Sequence, residues 1–249
     1  VDVLVTGHDH STKVLKTDST VLLDCGRAGQ YACLADINLV VRGGKVISRS
    51  LSGEVESFGS ENYDTAMEEA FKSDYEKVRD FNTSHVGEVK KDLVSREFYY
   101  RQCDYMNFLH ALAFSAWPVD ISLSATLLID GMVPAGEVRY QDIRKIYPYD
   151  NKLVVLRLTG AEILRYLEAS YDAWISTVPG PAEGSYVLRI TQTKDYATGG
   201  MKWKLAKSPA NFDSAAGIRY TVDVTKPYGS RVTVSGMADG SPFEMDKDY

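Results

Sequence analysis

Residues 146–162 read Ile-Tyr-Pro-Tyr-Asp-Asn-Lys-Leu-Val-Val-Leu-Arg-Leu-Thr-Gly-Ala-Glu, and this stretch decides the fold of the second part of the chain. Pro148 ends a brief helical turn, because proline cannot continue a helix. The alternation from Lys152 to Leu158 predicts a β-strand. Thr159 and Glu162 have the spacing of a capping box, which predicts that a helix begins here. The predicted core face of that helix carries Ile163, Leu164, Leu167, Tyr171 and Trp174.

Patterns on both sides of this stretch extend the same mixed architecture. Upstream we predict a helix at Asp104–Ala116, a short buried strand at Val119–Leu123 and a helical turn at Tyr140–Ile146. Downstream we predict strands at 186–191, 201–205, 219–224 and 231–234, and a further strand that begins within 244–249. Helices and strands in this arrangement predict an α+β domain over residues 82–249.

The first third of the chain has a different pattern. Residues 1–58 show short strands and turns, including a turn at Gly43-Gly44, and we expect them to form the closing edge of a larger sheet sandwich. From Ser60 to Phe81 the period changes to about 3.6, with Thr65 and Glu68 as a capping-box pair. Its apolar face, expected to dock on one domain, carries Met67, Phe71, Tyr75 and Val78. The predicted organisation is a domain remnant at 1–58, a linker helix at 59–81 and a second domain at 82–249.

Composition limits the classes of partner. A hydrophobic content of 44% and a charged content of 25% are those of an ordinary globular protein, and no apolar run is long enough to span a bilayer. The formal net charge of −6 argues against a nucleic-acid polymer, which favours a basic surface. Cys25 and Cys33 could face one another on a hairpin; alternatively, they and Cys103 are three small buried residues.

The first ten residues contain the strongest candidate metal-binding motif. The apolar run from Val1 leads directly into Gly7-His8-Asp9-His10. Two imidazoles one residue apart after a strand can point into one site, and neutral imidazole is a common ligand of zinc and similar metals. The alternative is an exposed turn whose histidines bind nothing. His85 lies in a polar stretch and His110 within a helical pattern, so we interpret both as structural residues.

Four segments of the second part carry a family resemblance. They are Gly-Glu-Val-Arg-Tyr-Gln-Asp-Ile (136–143), Ile-Tyr-Pro-Tyr-Asp-Asn (146–151), Leu-Thr-Gly-Ala-Glu (158–162) and Asn-Phe-Asp-Ser-Ala-Ala-Gly-Ile-Arg-Tyr-Thr-Val-Asp (211–223). Together they closely resemble the C-terminal substrate-binding domain of the 5′-nucleotidase and 2′,3′-cyclic-nucleotide phosphodiesterase family. The opening Gly-His-Asp-His resembles the end of that family's calcineurin-like metallophosphoesterase domain, an α/β sandwich that would be truncated here. A long helix joins the two domains in the family, which matches the linker helix.

The resemblance implies roles for residues of the second domain. Tyr149 matches the aromatic residue of the family's Pro-aromatic-x-Asn motif, which stacks on the nucleobase. Asn151 matches the amide that hydrogen-bonds the edge of the base. Phe212 and Asp213 are further substrate-binding candidates, with the carboxylate near the nucleoside hydroxyls, although a buried turn is an equally good interpretation.

One loop departs from the nucleotidase branch of the family. That branch has Gly-Gly-Ile-Arg after the strand represented by Val119–Leu123, whereas residues 124–130 here contain neither the glycines nor the arginine. The cyclic phosphodiesterase branch has a Ser-Ala-rich stretch there, which favours that branch and makes Ser124 a substrate-binding candidate. Arg96 and Arg101 lie where some members present phosphate-binding arginines; solvated charge is the alternative.

For the complete protein, the resemblance implies hydrolysis of a nucleotide by a water molecule that two divalent metal ions, Zn, Mn or similar, activate for attack on phosphorus. His8 and His10 match two of the metal ligands, and the other ligand motifs are expected upstream, so this chain is expected to be inactive alone. The alternative is a non-catalytic module that binds a nucleoside or another small ligand, with a degenerate phosphoesterase domain. The resemblance also implies a periplasmic or cell-surface location.

Overall fold

The computed structural model describes residues 1–8, 10–59, 64–178, 180, 187–194 and 200–249. The chain forms two compact units, Val1–Tyr75 and Glu76–Tyr249, and the boundary between them falls within a helix. Among the described residues, no helix is both long and apolar enough to cross a membrane.

The first unit is a small arrangement of strands. These are β1 (Val3–Thr6), β2 (Thr12–Lys16), β3 (Val21–Cys25), β4 (Tyr31–Arg42) and β5 (Lys45–Ser57). β3 is central, with β1 parallel on one side and β2 antiparallel on the other. β4 and β5 form a long antiparallel hairpin. Gly43 and Gly44 have φ values of 58° and 73°, which confirms the predicted turn, since glycine adopts positive φ without steric cost.

The helix that follows, α1 (Thr65–Asn82), begins close to the predicted position but is capped differently. The Asp64 carboxylate accepts hydrogen bonds at 3.0 Å from the backbone N–H groups of Ala66 and Met67, so Asp64 rather than Thr65 caps it. The predicted start at Ser60 lies outside the described residues. In the described structure α1 contains no buried residue, so its apolar face is exposed, and docking of that face on one domain stays a prediction. An amphipathic pattern defines which face is apolar but does not supply a partner for it.

The second unit combines helices with strand pairs, which confirms the α+β prediction. Its helices are α2 (Asp104–Ala116), α3 (Tyr140–Ile143) and α4 (Gly160–Trp174). Its strands are β6 (His85–Val89), β7 (Leu93–Val94), β8 (Ser122–Ala125), β9 (Met132–Val133), β10 (Gly136–Arg139), β11 (Ile190–Lys194), β12 (Met201–Leu205), β13 (Asp213–Ala216), β14 (Ile218–Val222) and β15 (Val232–Met237). The antiparallel pairs are β6–β10, β7–β9, β8–β13, β11–β12 and β14–β15.

The predicted start of α4 is confirmed. The backbone N–H of Thr159 donates to the Glu162 carboxylate at 2.8 Å, and the backbone N–H of Glu162 donates to the Thr159 hydroxyl at 3.3 Å. The face of α4 that the periodicity assigns to the core is buried at Ile163, Leu167 and Trp174. These contacts anchor the helix on the core and fix the direction of its exposed face.

The predicted strand at Lys152–Leu158 is wrong. These residues form no strand, and the next residue, Thr159, forms an isolated bridge with Asp248. Leu158 and Tyr249 exchange two backbone hydrogen bonds at 2.9 and 3.2 Å, and the N–H groups of Gly160 and Ala161 donate to the carbonyls of Lys247 and Met245. The segment at 244–249 therefore contacts residues 158–161 but does not form the predicted strand. The side chains from Leu153 to Leu156 are 52–69% exposed. Alternation predicts an extended backbone, but a strand also requires a hydrogen-bonded neighbour.

Two other predicted strands are displaced along the chain. The strand predicted at Val119–Leu123 is β8, at Ser122–Ala125, and the strand predicted at 186–191 is β11, at Ile190–Lys194. Tyr186 lies outside the described residues. Such displacements are expected because patterns locate an element better than its ends.

A buried histidine connects α2 to the β8–β13 pair. His110 Nδ1 lies 2.9 Å from the Ser122 hydroxyl on β8, and its Nε2 lies 3.1 Å from the Ser214 hydroxyl on β13. Burial of the ring lowers the pKa of His110 to about 4, because desolvation disfavours the charged imidazolium. The structural role predicted for His110 is therefore confirmed.

The turn between β13 and β14 depends on Gly217. Its φ is 94°, in the region that residues with a side chain rarely adopt. A Cβ atom at this position would also collide with the backbone carbonyl oxygen of Asp120. Gly217 therefore permits two chain segments to approach closely beside β8.

The cysteines are free thiols in this structure. Cys25 and Cys33 lie close enough for their thiols to hydrogen-bond; burial, followed by the effect of Cys25, raises the pKa of Cys33. Cys103 is buried beside α2.

Candidate functional site

The candidate site is a cavity of about 710 Å³ within the second unit. Most of its wall is apolar and comes from β6, α2, β8 and residues 151–154. Three of the predicted substrate-binding residues, Ser124, Asn151 and Asp213, line it together, with Glu88 and Lys152 as the charged neighbours. A mostly apolar cleft of this size with a few polar groups is typical of small-molecule sites.

Asn151 is held in the wall by a neighbouring tyrosine. Its side-chain nitrogen donates a hydrogen bond at 3.0 Å to the hydroxyl of Tyr147, which also lines the cavity. Since an amide has two N–H donors and a carbonyl acceptor, this contact leaves a further donor and the acceptor for a ligand. Both residues of this i, i+4 pair therefore line the same cavity.

Asp213, the first residue of β13, combines burial with a hydrogen-bond partner. The hydroxyl of Tyr166 on α4 donates to its carboxylate Oδ2, and the Ser170 hydroxyl donates at 2.9 Å to its backbone oxygen. Burial raises the pKa of Asp213, and the hydrogen bond from Tyr166 opposes that rise. The site therefore contains a partly buried carboxyl group whose charge depends on one tyrosine.

The segment that leads from β8 along the cavity is strained and firmly held. Leu127, a lining residue, has a φ of 57°, in the left-handed region. The Tyr105 hydroxyl donates to the carbonyl of Thr126 at 3.0 Å, and the Ser95 hydroxyl donates to the carbonyl of Ile129 at 3.0 Å. Strain of this kind persists only where surrounding contacts impose it, and it is frequent at functional sites.

The two predicted aromatic contacts lie in different environments. The ring of Tyr149 is 57% exposed and therefore accessible to a ligand, but it is not part of the cavity wall. Phe212 is 1% exposed, and its ring contacts the rings of Phe98 and Trp174 at centroid distances of 4.9 and 5.0 Å. The structure thus places Phe212 in the aromatic core, as in the buried-turn interpretation.

The two arginine candidates are engaged elsewhere. Arg96 pairs with Asp130, and Arg101 lies 3.0 Å from the Glu97 carboxylate; neither arginine lines the cavity. Both pairs are largely exposed, as the solvated-charge interpretation expects.

The two histidines of the first unit lie on the loop after β1, and both are exposed. Their φ values of 82° and 58° show that His8 and His10, rather than Gly7, adopt the positive φ of this turn. Two imidazoles fit part of a metal centre, but no group of three or more His, Cys, Asp and Glu residues occurs among the described residues. A catalytic zinc site uses about three protein ligands, so the described donors fit such a centre only in part.

Sequence patterns alone missed two residues of the site. Tyr147 belongs to the Ile146–Asn151 motif, and its four-residue spacing from Asn151 was an available signal. Tyr166 lies on the side of α4 that periodicity assigns to solvent, and its contact with Asp213 joins residues 47 positions apart. No local pattern predicts that contact.

Comparisons with known proteins identify the family of the second unit. Residues 84–249 match the family model described as 5′-nucleotidase, C-terminal domain. The trifunctional nucleotide phosphoesterase protein YfkN of Bacillus subtilis is 30% identical over 95 residues, which are 38% of this chain and 6% of that protein.

A solved structure with a TM-score above 0.5 has a similar fold. A protein from Staphylococcus aureus, described as a 5′-nucleotidase and solved in complex with α-ketoglutarate, matches 100% of this chain at 18% identity with a TM-score of 0.67. A 5′-nucleotidase precursor from Thermus thermophilus matches 100% of the chain at 19% identity with a TM-score of 0.47. This chain covers 45% and 48% of those two structures, so it spans less than half of their length.

Proposed function

Because this chain belongs to the 5′-nucleotidase C-terminal domain family, we propose that its second unit binds the nucleoside part of a nucleotide that the complete protein hydrolyses. The observation that carries the proposal is the cavity in which Ser124, Asn151 and Asp213 line one predominantly apolar wall. The apolar surface suits a flat nucleobase. The amide and the carboxylate suit the polar edge of the base and the ribose hydroxyls.

The charge of the cavity supports a nucleoside rather than a phosphate group as its occupant. Glu88 and Asp213 contribute carboxylates and Lys152 an ammonium group, and the described lining residues include no arginine. Phosphate groups in proteins are commonly bound by arginine forks or backbone N–H groups. The phosphate would therefore be held outside this cavity, and the proposed preference for the 2′,3′-cyclic or 3′-nucleotide branch rests on the Ser-Ala-rich segment at Ser124.

Replacement of Tyr149 by alanine is expected to weaken nucleoside binding. Stacking of a base on an aromatic ring contributes ~1–3 kcal/mol, which corresponds to a loss of affinity of about 5- to 150-fold. The measurement is calorimetric titration of the chain with adenosine and, separately, with cytidine. Tyr228→Ala is the matched control, because Tyr228 is 58% exposed and Tyr149 is 57% exposed.

Equal affinities of the Tyr149→Ala and Tyr228→Ala variants would contradict the stacking role. Asn151→Ala tests the amide independently, with Asn38→Ala in the exposed hairpin of the first unit as its control. Binding of neither nucleoside by the unmodified chain at millimolar concentration would contradict the proposed function as a whole.

For the complete protein we propose phosphoric ester hydrolysis at a two-metal centre to which His8 and His10 contribute. Bound divalent ions such as Zn or Mn would supply an activated water molecule and stabilise charge on the phosphoryl oxygens. We also propose a periplasmic or cell-surface location, which rests on family resemblance. The other candidate, a non-catalytic binding module, predicts nucleoside binding by the complete protein without turnover of any nucleotide.

The chain alone is expected to show negligible phosphatase activity. Two imidazoles do not complete a catalytic site, and both are exposed, so metal binding should also be weak. The measurement is release of p-nitrophenol from p-nitrophenyl phosphate and from its bis ester in the presence of Zn or Mn. Turnover that disappears in His8→Ala and persists in His85→Ala would contradict this expectation.

A further inference from the structure

We infer that Tyr166 is a positioning residue that holds the Asp213 carboxylate towards the ribose hydroxyls of a bound nucleoside. Tyr166 does not line the cavity, so it acts through Asp213, which does. The inference deepens the proposed function of the same site and rests on it.

Different partners hold the backbone and the side chain of Asp213. The Ser170 hydroxyl and the pairing of β13 with β8 fix the backbone at Asp213. Tyr166 is the residue for which a side-chain hydrogen bond to the carboxylate is observed, through Oδ2. A carboxylate accepts about four hydrogen bonds, so one from Tyr166 leaves capacity for two neighbouring hydroxyl groups.

The orientation of Tyr166 towards Asp213 follows from the contacts that anchor α4. The capping box at Thr159 and the buried side chains of Ile163, Leu167 and Trp174 fix the rotation of the helix. Tyr166 is one residue before Leu167 and is 41% exposed, so its hydroxyl reaches Asp213 from the edge of the buried face. The tyrosine is therefore a fixed donor directed at one oxygen.

The charge on Asp213 should also depend on Tyr166. The titratable group in contact with its carboxylate is Tyr166 on α4. Glu88 on β6 and Lys152 line the same cavity, and His110 on α2 contacts the next residue, Ser214. Burial raises the pKa of the Asp213 carboxyl and the hydrogen bond from Tyr166 lowers it. Loss of that hydrogen bond should raise the pKa of Asp213 further, so the carboxylate would be protonated at a higher pH.

The test compares adenosine with 2′,3′-dideoxyadenosine, which lacks both ribose hydroxyls. We expect the unmodified chain to bind adenosine about tenfold more tightly or better, since hydrogen bonds to a charged group are the stronger class. In Tyr166→Phe this preference should fall to about threefold or less, whereas the affinity for the dideoxynucleoside should be unchanged. The preference for adenosine is then measured between pH 8 and pH 5. It should disappear as the pH falls and Asp213 becomes protonated, and this loss should occur at a higher pH in Tyr166→Phe than in the unmodified chain.

Two further variants complete the design. Asp213→Asn should remove the preference and its pH dependence together. Tyr140→Phe is the control, because Tyr140 is 39% exposed and lies outside the cavity wall, and it should keep both. Tryptophan fluorescence during urea unfolding verifies that each variant is folded.

The outcomes separate the two proposals. Failure of the unmodified chain to bind adenosine would overturn the proposed function and this inference with it. Binding of adenosine without a preference over the dideoxynucleoside, or a preference that Tyr166→Phe retains at every pH, would overturn the inference and leave nucleoside binding standing.

Discussion

Replacement of Gly217 by alanine is expected to lower the free energy of unfolding of the second unit by about 2–5 kcal/mol. Two costs add at this position. The φ of 94° is unfavourable for a residue with a Cβ atom, and the added atom would collide with the carbonyl oxygen of Asp120. Relief of that collision requires β13 or the segment before β8 to move, and Asp213 of β13 lines the cavity.

The matched control is Gly229→Ala. Gly229 has a φ of 87°, but a Cβ atom there would meet nothing within 4 Å, so this variant isolates the conformational cost, about 1–2 kcal/mol. The free energy of unfolding of both variants is measured by urea unfolding, with tryptophan fluorescence as the signal. This signal reports on the second unit, because Trp117, Trp174 and Trp203 all lie in it. Equal destabilisation by the two variants would show that the approach to Asp120 costs nothing.

Acidification is expected to remove about 3 kcal/mol of stability from the second unit through His110 alone. The pKa of His110 is about 4 in the folded protein, against 6.5 for an unperturbed histidine. Between these values the unfolded chain binds a proton that the folded chain does not bind. The contribution is therefore fully present above pH 6.5, falls as the pH decreases towards 4, and changes no further below 4.

His110→Gln isolates this contribution from the carboxyl groups that titrate in the same range. The amide can retain a polar contact with Ser122 or Ser214 but does not titrate. The free energy of unfolding of both proteins is measured at pH 7 and at pH 4. Its decrease between these two pH values should be about 3 kcal/mol smaller in the variant than in the unmodified chain. Parallel pH profiles of the two proteins would show that the ring does not stay neutral in the folded state.

Local signals in the sequence were sufficient for several elements of the fold. The capping box at Thr159 and Glu162 predicted the start of α4, because both hydrogen bonds join residues three apart. Gly43 and Gly44 predicted the hairpin turn for the same reason, since positive φ is a local requirement. For the site, the Ile146–Asn151 motif indicated a segment whose Asn151 lines the cavity.

Features that depend on distant partners could not be predicted in this way. Residues 152–158 have the alternation of a strand, but their neighbour is decided by the rest of the fold. The pattern around Phe212 fits ligand contact and core packing equally, and only the rings of Phe98 and Trp174 distinguish them. The pairing of Tyr166 with Asp213 joins a helix to a strand far along the chain.

The exposed apolar segment at 153–156 affects behaviour in concentrated solution. Its side chains are apolar and more than half exposed, and they form an apolar surface on which another molecule can associate. Lys152 and Arg157 stand immediately before and after it, so two copies that approach along this segment bring like charges together. Electrostatic repulsion between these flanking cations opposes such association, and added salt weakens that repulsion.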